Sequence, residues 1–354
     1  MKILKWIIGI MLTALSTSCL KETQLSIDND LQPLQLNDGW ESSTLINEHI
    51  DETTIRNAFK LFFDGTTLPL AKSLLVIRNG KIVAEAYKDQ NRHEAAQTIA
   101  NVQSCTKSIT SILLGIALNE SGDLNTDVPL LQFFPPDYQT RYADKASLTI
   151  KDCLTMQDGI SYNGLDDARA LVYTKKNSIE HILETPRTTT TPAFKYSEYP
   201  PHLISGLISQ LTGEKLAQYA EERVFSELGI QDYYWETSND GLNIGGFSLS
   251  LSPRSLAKIG QLCLQNGQWN GQTVISQNWL VTATSKQSIS AAYGYFFYIN
   301  ENDGSYSMRG NGGQTVHIVP SKNLVIVYTA FPYSSNELWG NNQQLIDLIK
   351  SACQ

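Results

Sequence analysis

Asn79-Gly80 separates two apolar runs, residues 74–77 and 82–87, and Asn-Gly between such runs is the strongest short-range signal for a β-hairpin. A lone hairpin is marginal in water, so these two strands need partners. Strand character returns only near the other end of the chain, at residues 293–299, 315–319 and 324–329. The stretch between, about 121–289, reads as helices and loops with Pro135-Pro136 and Pro200-Pro201 as breakers. Five strands therefore come from the two ends of the chain, around a helical insert. Hairpin connections make such a sheet mainly antiparallel. The fold class expected is α/β of the α+β kind: a five-stranded antiparallel sheet flanked by helices, plus a helical subdomain.

Three helices frame that sheet. Asp51-Glu-Thr-Thr54 is a capping stretch before an apolar-periodic segment at 55–63. A second helix starts at Ser104, with Ile109, Ile112, Leu113, Ile116 and Ala117 on one face and Gly122 as its stop. Residues 338–349 read as a closing helix. A single domain is expected over 46–354, with the sheet region at 46–120 and 290–354 and the helical region at 121–289. Residues 20–45 are polar and suit a tether followed by a surface arm.

The N-terminus is different in kind. Lys2 and Lys5 precede an apolar run at 6–15 and then Ser16-Thr-Ser-Cys19. Ten apolar residues are too few to span a bilayer but suit the core of a signal peptide. Small residues before Cys19 resemble a bacterial lipobox, although Leu15 stands four residues before the cysteine and three is usual. Lipidation at Cys19 is the expectation, with plain secretion and an uncleaved anchor as alternatives. The protein is thus expected to be exported to the cell envelope, touching a membrane only through that anchor.

Composition narrows the function. With 42% hydrophobic and 18% charged residues among 354, the chain is globular. A net charge of −8 without a basic face excludes nucleic acid as a partner. Cys105, Cys153, Cys263 and Cys353 are widely spaced, and the five histidines form no His-x-x-x-His pair. Buried free thiols are expected, and neither a metal nor a cofactor is.

Chemistry gathers in three segments: Ser104-Cys-Thr-Lys107, Tyr196-Ser-Glu198 and Gly310-Asn-Gly-Gly-Gln314. Ser-x-x-Lys alone is weak, since it occurs also at Ser18/Lys21, on the cleavage site, and at Ser255/Lys258, beside no other site residue. Positions three apart on a helix are neighbours, so Lys107 can reach the Ser104 hydroxyl. The helix N-terminus favours an oxyanion near the Ser104 N–H and disfavours a protonated Lys107. Tyr196 lies in a loop leading to Tyr199-Pro-Pro201, where a phenol can share a proton with the amine. Gly312-Gly313 lets a backbone approach a ligand, and the N–H of Gln314 could join that of Ser104 as an oxyanion hole. These are the parts of a serine acyl hydrolase that uses no histidine. A Gly-x-Ser-x-Gly nucleophile elbow is absent.

Taken in order, the three segments resemble those of the serine β-lactamase, penicillin-binding protein and 6-aminohexanoate-dimer hydrolase superfamily. The likeness is strongest to the β-lactamase-related serine hydrolases that include nylon-oligomer hydrolase. It extends over roughly 38–335, through Asp38-Gly-Trp40, residues 74–80, 106–117 and 154–156, Leu251-Ser-Pro-Arg254, residues 257–262 and Tyr293-Gly-Tyr295. The resemblance implies that Ser104 is acylated, that Lys107 and Tyr196 handle its proton, and that Gly313 and the Gln314 N–H lie at the oxyanion hole. The substrate implied is a small ester or amide. A β-lactamase or D-alanyl-D-alanine carboxypeptidase is the alternative within the class, and a non-catalytic envelope binding protein the alternative outside it.

Two positions depart from that group. Glu198 stands where Asn is common, and Asn311 stands where Lys or His often helps bind a substrate carboxylate. Both are candidates to line the substrate site: Asn311 cannot supply charge, and Glu198 either repels an anion or pairs with Lys107, so together they point away from anionic substrates such as penicillins and toward neutral esters or amides. Tyr162, Asp166 and Asp167 are further candidates for the pocket wall, which is expected from loops around 157–195 and 235–250.

Overall fold

Residues 74–77 offer no polar position, so a strand made from them must be covered on both faces. The computed structural model, which describes residues 30–122, 124–333 and 342–353, covers it so. Leu75 and Ile77 enter the larger core and Leu74 and Val76 the smaller one, as a two-residue period requires. The strands of the main sheet are β1 (Glu41–Ser42), β2 (Ala71–Arg78), β3 (Lys81–Tyr87), β4 (Tyr298–Ile299), β5 (Tyr306–Gly310), β6 (Gln314–Val319) and β7 (Leu324–Ala330). They lie in the order β1-β3-β2-β7-β6-β5-β4 and are antiparallel, except that β1 runs parallel to β3.

Five long strands therefore make the body of the sheet, with a two-residue strand at each edge, seven in all rather than five. One expected strand is corrected. Residues 293–299 contribute only β4, because Phe296 takes a left-handed φ of 63° that breaks the extended run. The strand beside it, β5, was not read from the sequence, where Tyr-Ser-Met-Arg-Gly is too short and mixed to signal one.

The main helices are α1 (Glu52–Phe63), α2 (Cys105–Glu120), α3 (Tyr199–Thr212), α4 (Pro253–Leu264) and α5 (Gln343–Ala352). Helices α1 and α5 cover one face of the sheet, while α2 and α4 cover the other, with α3 packed against α2. Asp51 caps α1 through the Thr54 N–H, as its sequence indicates. Helix α2 departs from the one-faced pattern, since every residue from Cys105 to Leu118 is buried. Its small hydroxyl residues make this possible. Ser108 donates to Phe296 O at 2.6 Å and Thr110 to Gly245 O at 2.8 Å, so these two hydroxyls are satisfied inside the protein. Helix α3 begins before Pro200-Pro201 rather than after it. Prolines in a first turn cost nothing, because those N–H groups have no intrahelical acceptor. The closing helix is described from Gln343; the start expected for it at 338 lies outside the described residues, as do Ser18, Cys19 and Lys21.

The stretch read as a tether and arm is described from Asp30 onward, where it lies against the domain. Leu31 is buried, Leu34, Leu36 and Trp40 pack on the core, and β1 adds to the sheet. Arg254, in the first turn of α4, fastens it. Its guanidinium meets Asp38 at 2.7 and 3.2 Å and Glu85 at 2.9 Å, and Trp40 donates to its carbonyl at 3.1 Å. Glu85 is 0% exposed. Arg254→Ala leaves that carboxylate buried without its cation, so we expect a loss of about 3–5 kcal/mol in stability. Urea titration should show a lower midpoint with an unchanged slope.

Candidate active site

Gln103 sets the geometry. It takes a left-handed φ of 52°, held by its N–H on Asn101 Oδ1 at 2.7 Å and by its carbonyl, which accepts from Thr106 Oγ1 at 2.6 Å. A non-glycine residue there is strained, and the turn it makes delivers Ser104 to the N-terminus of α2 with its side chain partly exposed. Ser104 is in the N-cap place but makes no side-chain capping bond, so its hydroxyl is free for other work. Its N–H has no hydrogen-bond partner among the described residues.

One turn on, Lys107 is 1% exposed, and its ammonium has three acceptors: Ser104 Oγ at 3.0 Å, Glu198 Oε2 at 2.6 Å and Gly246 O at 2.9 Å. Three N–H donors and three acceptors leave nothing unsatisfied. Burial pulls the amine below the ordinary lysine range, and the Glu198 carboxylate opposes that shift. Gly246 makes room for the pair, because a Cβ there would run into Glu198 Oε2. Glu198 itself is the N-cap residue of α3, where the helix N-terminus favours a carboxylate.

Tyr196 lies over the same point. The Lys107 Nζ is 4.7 Å from its ring centroid, and its hydroxyl hydrogen-bonds with that of Ser104. Burial, together with the negative charge of Glu198, pushes its phenol well above the usual range. The resting phenol is therefore protonated and able to donate. On its far side Tyr298 stacks at 6.5 Å and hydrogen-bonds to it, with its own phenol pushed up to about 12 by burial. Arg309 in turn places its guanidinium 5.4 Å from the Tyr298 ring centroid.

The structure thus brings Ser104, Lys107, Tyr196 and Glu198 together. The glycine segment runs beside the start of α2. Gly310, the last residue of β5, lies close to the Ser104 backbone: a Cβ there would be 2.6 Å from Val102 O and 3.0 Å from Ser104 N. Gln314 begins β6; its carbonyl accepts from Cys105 Sγ at 3.8 Å, next to Ser104, and its side chain is clipped to Ala330 of β7 at 2.6 and 3.2 Å. Gly313 has a φ of 94° and its carbonyl accepts from Asn342, so it shapes the turn. Asn311 donates an amide N–H to Pro332 O at 2.9 Å.

Of the two alternatives for Glu198, repelling an anion or pairing with Lys107, the structure shows the pair. Among the pocket-wall candidates, Tyr162 braces the site from behind, accepting the Glu198 backbone N–H and packing edge-on to Tyr199 at 5.1 Å. Asp167 accepts the Asn163 N–H at 2.6 Å, and Asp166 is exposed near Arg169. Sequence reasoning missed Gly246, Tyr298 and Arg309. Arg309, directly before the glycine segment, was the visible signal.

Ser255 and Lys258 form no second site. Ser255 takes its N–H to the Ser252 cap at 3.1 Å, and Lys258 donates to Leu228 O at 2.7 Å and Gly229 O at 3.3 Å. All four cysteines among the described residues are free and buried. No group of three His, Cys, Asp or Glu suited to a metal occurs among those residues.

A 6-aminohexanoate-dimer hydrolase of Paenarthrobacter ureafaciens is 22% identical over 316 residues, covering 79% of this chain and 78% of its own. The crystal structure of a penicillin binding protein from Bacillus halodurans superposes with a TM-score of 0.62 at 17% identity, over 84% of this chain and 98% of that one. A family VIII carboxylesterase gives 0.64 at 16% identity, over 91% and 99%. At such identities these structures share the fold. The family model described as Beta-lactamase matches residues 70–336, more than half of the sequence. The chain belongs to the β-lactamase family of serine hydrolases.

Proposed function

We propose that the protein hydrolyses a small ester or amide through an acyl-enzyme on Ser104. The observation that carries this reading is the Lys107 ammonium, buried and shared at 3.0 and 2.6 Å between the nucleophile and a carboxylate. Burial favours the neutral form of the Lys107 amine, and that form takes the Ser104 proton as Oγ attacks the substrate carbonyl. Tyr196, held protonated, gives its proton to the leaving oxygen or nitrogen. In deacylation the phenolate takes a proton from water, the resulting hydroxide attacks the acyl carbon, and Lys107 returns its proton to Ser104 Oγ. The unpartnered Ser104 N–H, with the backbone at the end of β5 beside it, is placed to receive the oxyanion.

The relatives named above act on a linear amide in one case and are carboxylesterases or penicillin-binding proteins in others. All these bonds suit the same serine chemistry. A panel of p-nitrophenyl esters, linear amide oligomers and nitrocefin tests the reading. We expect time-dependent turnover of at least one ester, with a burst that equals the enzyme concentration if deacylation is slower than acylation. No turnover of any member, by protein that also fails to label with a fluorophosphonate, would leave the binding-protein alternative.

A further inference from the structure

Three acceptors surround the Lys107 nitrogen, and only one of them has a proton to give. Ser104 Oγ, at 3.0 Å, is the hydroxyl that the amine must deprotonate. Glu198 Oε2 at 2.6 Å and Gly246 O at 2.9 Å are pure acceptors. A neutral amine keeps two N–H donors and one lone pair. With both N–H groups claimed by fixed acceptors, the lone pair is left facing Ser104 Oγ. The carboxylate is itself held in place: its side chain is 13% exposed, and its backbone N–H is bonded to the Tyr162 hydroxyl.

Acylation changes the charge beside that carboxylate. As Ser104 Oγ bonds to the substrate carbon, its proton passes to Nζ and the carbonyl electron pair moves onto oxygen. The amine thus becomes an ammonium as the oxyanion forms. Lys107 is 1% exposed, so water does little to stabilise the new cation, and a carboxylate at 2.6 Å does much. The Asn common at this place in the family could accept the N–H but could not offset the charge.

We propose that Glu198 is a positioning residue for the base: it aims the Lys107 lone pair at Ser104 and stabilises the ammonium that acylation creates. The proposal rests on the serine hydrolase reading and adds a third member to Ser104 and Lys107. The role is the one a carboxylate has behind the histidine of a serine-protease triad. It has a consequence for pH. The same carboxylate also favours the protonated amine before substrate arrives, so the free base appears only at higher pH. Other groups facing the pair keep one charge across the neutral range. Burial pushes up the phenols of Tyr162, Tyr196, Tyr293 and Tyr298 and the Cys105 thiol, which stay neutral, and Arg309, against the Tyr298 ring, is a cation throughout.

The test is the pH dependence of kcat/KM on p-nitrophenyl acetate, a substrate with no titrating group, for wild type, Glu198→Gln and Glu198→Asp. In Glu198→Gln the acid limb should move about 1–3 units toward lower pH, because the charge that favoured the ammonium is gone. The plateau at high pH should fall ten- to a hundredfold, as expected for a lost hydrogen bond to a charged group. Glu198→Asp keeps the charge and should return both toward the wild type. A merely structural role would lower the plateau and leave the limb in place, and that result overturns the proposal. So does an unchanged plateau in Glu198→Gln. Should Glu198→Gln not fold, Gly246→Ala decides: its methyl group would displace the carboxylate, so the limb should move the same way, and an unmoved limb rejects the proposal. If acetate is not turned over, the rate of fluorophosphonate labelling at Ser104 is read against pH instead, with the same shift expected. Protein that neither turns over the ester nor labels refutes the hydrolase reading itself, and this proposal with it.

Discussion

Ser104→Ala should abolish ester turnover, by on the order of 10⁶-fold, while the protein keeps its fold. The size follows from the role: no other hydroxyl shares the Lys107 amine among the described residues, so the covalent step has no substitute. The intact fold follows from the local structure. A serine N-cap usually stabilises its helix by about 1 kcal/mol through a side-chain bond, but Ser104 makes none, so alanine removes no cap. Thermal unfolding of the variant should match that of the wild type. Activity within a hundredfold of wild type, measured with a p-nitrophenyl ester, would mean that the nucleophile lies elsewhere.

Lys107→Met should give the second largest effect, and a double one. Losing the base costs roughly 10²–10⁴-fold in kcat, as is typical of a positioned proton acceptor. The variant also strands the Glu198 carboxylate, whose side chain is only 13% exposed, beside an acceptor carbonyl at Gly246. Breaking a buried pair from one side costs up to about 3–5 kcal/mol, and the remaining solvent access of Glu198 places this case at the lower end. The two effects separate in the double variant. Lys107→Met with Glu198→Gln should regain most of the stability, because an amide needs no counter-ion, and none of the turnover. A single variant that keeps kcat within tenfold would show that Tyr196 alone can manage the proton, against the raised phenol pKa.

What could be read from the chain followed the range of the contacts. Ser104 and Lys107 are one helical turn apart, so their meeting is a property of α2 and visible as a spacing. The hairpin of β2 and β3 was equally legible, because Asn79 takes the left-handed conformation, with a φ of 51°, that its turn needs. Lys107 and Glu198 are 91 residues apart in sequence, and only the packing of α3 on α2 makes them a pair. That is why the sequence leaves open whether Glu198 repels an anion or pairs with Lys107. The partner of Asn311 is hidden for a similar reason: its amide donates to Pro332 O, two residues beyond the end of β7. Strand β5 was hidden because a five-residue strand ending in arginine and glycine has no period to show. With it went Arg309 and the close approach of Gly310 to the Ser104 backbone. The fold was written in alternation and turns, which are local, whereas the charge of the site was written in tertiary contacts.

The most direct measurement of the central claim is to treat the protein with a fluorophosphonate, digest it and locate the adduct by mass spectrometry. A nucleophile activated by Lys107 predicts one adduct per chain, on the peptide that contains Ser104, formed in step with loss of esterase activity and absent from Ser104→Ala. An adduct on any other serine, Ser255 included, or full activity in protein labelled at Ser104, would contradict it.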